Sequence, residues 1–307
     1  MPFATGAGGA RIHYEVRRGS GPPAVLIQGL GLSSRFWFDV PDRLAADPDP
    51  WHVLTPDHRG VGRSDRPLGP YLMRVMADDV AAVLDHARLE RAYVVGISLG
   101  GMVAQHVAIR HPSRVAGLVL LATTAGFPHV RLPSALALAR FLALPLSGQL
   151  RQSHVDRSYA RLLLSRKDVP RARELLAGWP AAMQTEPTSL RVFVAHFAAI
   201  LAHSAGSGLR DIACPTVIVT GDDDCLLPHQ NSRVLARLIP GAHLEVIPGG
   251  HILTASDPEC VRRALVRARA MSGEAPVRTM SGDEPAAQAA GFADRSAQML
   301  SVPVRSK

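Results

Sequence analysis

"YVVGISLGGMVAQHVA" (residues 93–108) runs a β-branched apolar segment into a glycine, a serine and two further glycines, and then into an apolar stretch compatible with a helix. A short β-branched run reads as a buried strand. A small hydroxyl residue between glycines marks a turn too tight for side chains on either side of it. The stretch therefore predicts a strand, a strained turn with Ser98 at its tip, and a helix whose N-terminus favours negative charge developing beside the serine.

Outward from that turn, strand-like and helix-like segments alternate through the first 125 residues. Strands are predicted at 10–16, 24–28, 52–57, 92–97 and 115–123, and helices over "SSRFWFDVPDRLAA" after Ser33, from 72 and from 99. Such alternation signals an α/β protein with a mostly parallel, doubly wound sheet covered by helices on both faces. From 127 to 209 the pattern offers no strand, only helical material at 133–145, 151–166, 171–184 and 188–203. Alternation resumes with a strand at 215–221, a helix near 229–238, a strand at 243–248 and a helix at 258–271. The domain organisation expected is an α/β core of residues 1–126 and 210–271, with residues 127–209 inserted as an all-helical cap over the sheet edge where ligands bind. Residues 272–307, rich in Ser, Gly, Pro and Ala without periodicity, read as a flexible C-terminal tail with no catalytic role.

Composition narrows the function classes. A chain of 307 residues that is 47% hydrophobic can bury a large core, which excludes a disordered or fibrous protein. The formal net charge is +8, yet all but Lys167 and Lys307 of the 34 Lys and Arg residues are arginines dispersed along the chain. Without a clustered basic stripe interleaved with aromatics, no nucleic-acid partner is expected. Cys214, Cys225 and Cys260 are odd in number and lack metal-ligand spacing, so reduced thiols in a cytoplasmic protein and no bound metal are expected. The opening "MPFATGAGGARIHYE" has no basic segment followed by an apolar core, so no signal peptide is expected. The most apolar stretch, 132–146, is short, carries Arg140 and two prolines, and so is not expected to span a membrane.

Gly96-Ile97-Ser98-Leu99-Gly100 fits G-x-S-x-G, the nucleophile elbow, with the strand before and helix after that the motif requires. A serine hydroxyl is a weak nucleophile at neutral pH and needs a base and an orienting acid. "VIVTGDDDCLLP" (217–228) places Asp222, Asp223 and Asp224 at the end of one later strand, and "VIPGGHILTASDPE" (246–259) places His251 in a glycine-flanked loop after the next. The loop after the strand at 115–123, "LATTAGFP" (121–128), holds no carboxylate, which directs the acid role to the aspartate cluster.

Four motifs, "GISLGG" (96–101), "PDHRGVGRSDRP" (56–67), "GDDDCLLP" (221–228) and "GGH" (249–251), together resemble the α/β-hydrolase fold superfamily over residues 10–270, in particular its serine-nucleophile members with a helical cap. The resemblance implies a catalytic triad of Ser98, Asp224 and His251. In similar proteins the acid lies three residues after the strand-ending glycine and four before a proline, which selects Asp224 between Gly221 and Pro228 and leaves Asp222 and Asp223 as turn residues. It also implies an oxyanion hole made by the backbone N–H groups of Leu99 and Leu30. Relatives carry His-Gly before the second donor, whereas this chain carries Gln28-Gly29. "DHRGVGRS" (57–64) then reads as a structural buttress, and His196 and His203 as packing or solvent-exposed residues of the cap. Serine at 98 argues against haloalkane dehalogenase and epoxide hydrolase chemistry, for which those relatives use aspartate.

The function expected is a cofactor-independent serine esterase type of hydrolase, cleaving an ester, thioester or lactone of an apolar small molecule through an acyl-Ser98 intermediate. A carbon–carbon bond hydrolase, a perhydrolase or an acyltransferase would use the same triad, and a small-molecule receptor would use the same scaffold. Leu99, Met102, Leu226, Leu227, Ile252, Leu253 and Phe127 flank the site in sequence and predict an apolar cavity. The basic excess across 127–209 reads as solvated outer faces of helices. Nothing in the sequence separates a monomer from a homodimer.

Overall fold

The apolar runs form one sheet among the described residues: β1 (Phe3–Thr5), β2 (Arg11–Arg17), β3 (Pro23–Ile27), β4 (His52–Pro56), β5 (Ala92–Ile97), β6 (Val115–Leu121), β7 (Thr216–Gly221) and β8 (His243–Ile247). Their spatial order is β1-β2-β4-β3-β5-β6-β7-β8, antiparallel from β1 to β4 and parallel from there to β8. The computed structural model describes residues 2–143 and 157–273.

β5, β6 and β7 are buried along their whole length because helices cover both faces of the sheet. Alternate strand residues feed two cores. Ala24, Leu26, Tyr93, Val95, Val119 and Val217 pack with α1 (Val40–Ala45) and with Val261, Ala264, Leu265 and Ala268 of the helix closing the described chain, Cys260–Ser272. Val25, Ile27, Val94, Leu118, Leu120 and Ile218 pack with α2 (Met73–His86) and α3 (Leu99–Arg110). The chain runs from central β3 out to β4 and then crosses back to β5, so the topological switch point lies between the C-terminal ends of β3 and β5. Ligands bind at such a crevice in open α/β sheets.

Between β6 and β7 the described residues form no strand beyond a single antiparallel bridge between Gly126 and Ser204, and their α-helices are α4 (Ala135–Ala143), α5 (Arg157–Leu163), α6 (Ala172–Leu175), α7 (Trp179–Thr185) and α8 (Leu190–Leu201). α9 (Gln230–Leu238) follows β7, and α10 (Leu253–Ser256) and α11 (Cys260–Ser272) follow β8.

The helices differ from those the sequence predicts. The helix predicted after Ser33 is broken: a single turn at Ser34–Trp37 stops at Phe38, which has φ 49°, and α1 restarts with Pro41 in its first turn, where proline fits. The helix predicted over 171–184 is divided into α6 and α7 around Leu176–Gly178, with Pro180 opening the second piece. β1 escaped notice because three residues give no period. Of the tail predicted at 272–307, Ser272 instead closes α11 and Gly273 caps it with φ 75°, while 274–307 lie outside the described residues, as do 144–156, which take in parts of the helices predicted at 133–145 and 151–166.

Candidate active site

Ser98 sits between β5 and α3 with φ 56° and ψ −119°, the strained turn expected of a residue lifted above the sheet. Its neighbours show why only glycine serves there. A Cβ on Gly96 would lie 2.2 Å from the Gly100 carbonyl oxygen, and one on Gly100 would lie 2.1 Å from the Ile27 carbonyl oxygen. The turn is pinned on two sides, by the Ser98 N–H donating to the Leu121 carbonyl at 2.9 Å and by Thr123 Oγ1 donating to the Ser98 carbonyl at 2.7 Å.

β7 and β8 pair Gly221 with Ile247, which brings the two following loops side by side. Asp224 Oδ2 and His251 Nδ1 are 2.8 Å apart, and both residues are buried. Asp224 Oδ1 accepts from the N–H groups of Leu226 and Leu227 at 2.8 and 2.9 Å, which fixes the carboxylate facing the ring. The other two aspartates are turned elsewhere. Asp222 Oδ1 accepts from the Gly249 N–H at 3.1 Å, and Asp223 Oδ2 accepts from the Arg166 N–H at 2.6 Å.

The loop after β3 reaches Ser98 because β3 and β5 are neighbours, with Ile27 paired to Gly96. The Leu32 N–H donates to the Gly29 carbonyl at 3.3 Å, closing a β-turn whose third residue, Gly31, has φ 69°. That conformation suits glycine. Gln28, where relatives carry histidine, turns its Oε1 onto the Gly29 N–H at 2.8 Å, and the Gln28 carbonyl accepts from His58 Nε2 at 2.9 Å. Among the described residues, the N–H groups of Leu30 and Leu99 have no hydrogen-bond acceptor. The side chain of Leu99 is buried under the elbow, so only its backbone is available to the site.

Two residues of the segment between β6 and β7 join this loop: His196 Nδ1 accepts from the Gly31 N–H at 3.3 Å, and Thr188 Oγ1 donates to the Gly31 carbonyl at 2.5 Å. The sequence predicts no role for Thr188, and for His196 packing or solvent exposure. No local signal marks either one, since they stand 157 and 165 positions from Gly31. The "DHRGVGRS" stretch ties core elements together: Asp57 accepts from the Ser34 N–H at 2.7 Å and the Arg63 N–H at 3.0 Å and pairs with His13 at 2.8 Å.

Ser98, His251, Gln28 and Leu30 line one cavity of about 680 Å³. Most of its wall is aromatic or aliphatic, including Phe36, Phe141, Trp179, Phe193, Phe197 and Leu226. The one carboxylate among its lining residues is Glu186, held by Arg35 at 2.8 Å and Arg63 at 3.4 Å. No group of His, Cys, Asp and Glu suited to a metal ion occurs among the described residues.

A sheet of this order, with a glycine-flanked serine at the switch point and an Asp–His pair on the next loops, defines a class. The chain belongs to the alpha/beta hydrolase fold family, whose model matches residues 22–258, and it is an enzyme of that family, a hydrolase. It is 32% identical over 284 residues to a protein of Azorhizobium caulinodans named "Putative carbamate hydrolase RutD", covering 87% of this chain and 97% of the relative. It is 31% identical over 247 residues to a poly(3-hydroxyalkanoate) depolymerase of Ectopseudomonas oleovorans, covering 80% of this chain and 83% of that one. Among solved structures, an N-acyl homoserine lactone degrading enzyme superposes with a TM-score of 0.66 at 28% identity, covering 86% of this chain and 99% of the other. The enol-lactonase of Burkholderia xenovorans LB400 shares the fold, with a TM-score of 0.71 at 24% identity and coverage of 88% and 100%.

Proposed function

We propose that this hydrolase cleaves the ester, thioester or lactone bond of an apolar small molecule through an acyl-Ser98 intermediate. The observation that carries the reading is the convergence of Ser98, the Asp224–His251 pair and the open amide of Leu30 on one apolar cavity. Asp224 holds the proton of His251 on Nδ1, leaving Nε2 free to accept. Ser98 Oγ attacks the acyl carbon as its proton passes to Nε2, and the carbonyl oxygen becomes an oxyanion met by the N–H groups of Leu30 and Leu99. The imidazolium, stabilised by Asp224, gives that proton to the leaving alcohol or thiol. Water then enters, loses a proton to Nε2 and adds to the acyl carbon, and as the bond from that carbon to Oγ breaks the imidazolium returns the proton to Ser98 Oγ and the acid is released. These steps use the chain's own groups and call on no cofactor. Residues 1–126 and 210–271 act as the catalytic core and 127–209 as the cap that closes the cavity. The three free cysteines fit a reducing, cytoplasmic setting. No helix among the described residues is long and apolar enough to cross a membrane.

The relatives' names, spanning a carbamate, a polyester and lactones, supply the acyl groups for a test panel. With few polar side chains in the wall, each added methylene of the acyl group gains about 0.8 kcal/mol, close to fourfold in affinity, until the cavity is full. The test is kcat/KM across p-nitrophenyl acetate to decanoate, beside one carboxylate-bearing ester of matched size and an acyl homoserine lactone. A rise with chain length and poor turnover of the carboxylate is expected. A flat series with the carboxylate turned over fastest contradicts the apolar-substrate reading and makes the basic residues of 127–209 an anion guide.

A further inference from the structure

Gly31, the residue after the proposed oxyanion donor, takes its two hydrogen bonds from the segment between β6 and β7. Its N–H donates to His196 Nδ1 on α8, and its carbonyl accepts from Thr188 just before α8. His196 is sealed from solvent, and its second nitrogen, Nε2, donates to the Arg59 carbonyl at 3.1 Å. A ring that accepts at Nδ1 and donates at Nε2 is the neutral tautomer, and burial pushes its pKa down to about 3, so it stays in that form at ordinary pH. Arg59 is itself anchored: both its Nε and Nη2 donate to Asp79 at 2.7 Å in a buried pair. A continuous chain of bonds therefore runs from the core through Asp79, Arg59 and His196 to Gly31.

Gln28 holds the Gly29 N–H at the start of the turn from Gly29 to Leu32, and past that point the turn has little of its own to hold it. Its closing bond is 3.3 Å long, and two of its four residues are glycines with wide backbone freedom. Oxyanion stabilisation depends on donors fixed in advance toward the developing charge. We propose that Thr188 and His196 are positioning residues, a clamp from the cap that fixes the peptide units on either side of Gly31 and so aims the Leu30 N–H at the substrate oxygen. This rests on the reading of Leu30 as an oxyanion donor. Because the clamp governs a bond that strengthens as the oxygen becomes charged, its loss lowers kcat more than it raises KM.

The test compares Thr188→Val, Thr188→Ser, His196→Phe, His196→Asn and Leu30→Pro in turnover of p-nitrophenyl hexanoate and in inhibition by an alkylboronic acid, whose Ser98 adduct places a charged oxygen where the oxyanion forms. Leu30 is the second residue of a turn with positive φ at the third, a position that favours proline, so Leu30→Pro deletes the N–H and keeps the turn. Expected are losses in kcat of about 10- to 100-fold in Thr188→Val and His196→Phe, KM within about twofold, and boronate Ki rising in proportion to the fall in kcat/KM. Thr188→Ser, which keeps the hydroxyl, and His196→Asn, whose carboxamide oxygen stands in for Nδ1, recover most of the rate. Thr188→Val decides alone if His196→Phe does not fold. A wild-type kcat in Thr188→Val, or a loss confined to KM with boronate Ki unchanged, overturns the clamp provided Leu30→Pro is impaired. Full activity in Leu30→Pro removes instead the oxyanion reading beneath it.

Discussion

At Asp224 one carboxylate serves two partners, the His251 ring through Oδ2 and the turn amides of Leu226 and Leu227 through Oδ1. Its neighbours cannot share that task, because Asp222 is spent on the Gly249 amide and Asp223 on Arg166. Replacement by the amide separates the three positions. Asp224→Asn offers the ring an N–H or a neutral oxygen, upsets the tautomer and is expected to lower kcat by about 10³-fold or more. Asp222→Asn and Asp223→Asn leave kcat within about threefold, because they touch backbone held by other bonds as well. The check is steady-state kinetics on the three purified variants with matched thermal melts, and equal losses from all three contradict the assignment. The count from Gly221 and Pro228 that the family resemblance implies points to Asp224, the aspartate whose carboxylate lies 2.8 Å from the His251 ring. What sequence did not show was how Gln28 holds the loop, since its side chain folds back on the Gly29 amide in a way that no spacing encodes.

Elements place these residues, and the tightest joint is where β3, β5 and the start of α3 meet. Gly100 stands so close to β3 that an added methyl would lie 2.1 Å from the Ile27 carbonyl oxygen and 2.5 Å from that of Gln28, backbone atoms unable to step aside. Gly100→Ala is therefore expected to cost about 1–3 kcal/mol of stability by overpacking and to lower kcat by displacing both Ser98 and the loop that carries Leu30. Urea unfolding with parallel kinetics checks it, and an unchanged midpoint contradicts it. The elements themselves were legible where period and punctuation agreed: the strands predicted from 10 onward match β2 to β8 within about two residues, as buried runs ended by turn residues should. Helices were less so. Phe38 breaks one by a backbone conformation that its residue type does not announce, and α6 and α7 part at a glycine that an apolar pattern reads through. Thr188 and His196 were illegible in principle, since their roles come from tertiary contact with a loop far away in the chain.

In the whole molecule, the buried histidines couple the fold to pH. Burial pushes His196 down to about 3 and His203 down to about 4, both below the value near 6.5 of an unfolded histidine. The unfolded chain therefore binds protons that the native state refuses. The contribution of these two rings is level above pH of about 6.5 and falls as the pH drops from there toward those values, each ring adding a slope of about 1.4 kcal/mol per pH unit. Urea midpoints at pH 7.5, 6 and 5 should decline in that order, and equal midpoints contradict the sign. Ser98, His251 and Leu30 line one apolar chamber with residues of the 127–209 segment, and every step of the proposed chemistry passes through Ser98. The most direct measurement is therefore peptide mass mapping after titration with an alkyl fluorophosphonate, run beside residual esterase activity. One adduct per chain is expected, on Ser98, with activity falling in strict proportion to labelling and no adduct in folded Ser98→Ala. Full activity with Ser98 completely labelled, or complete inactivation with the label on another residue, would contradict it.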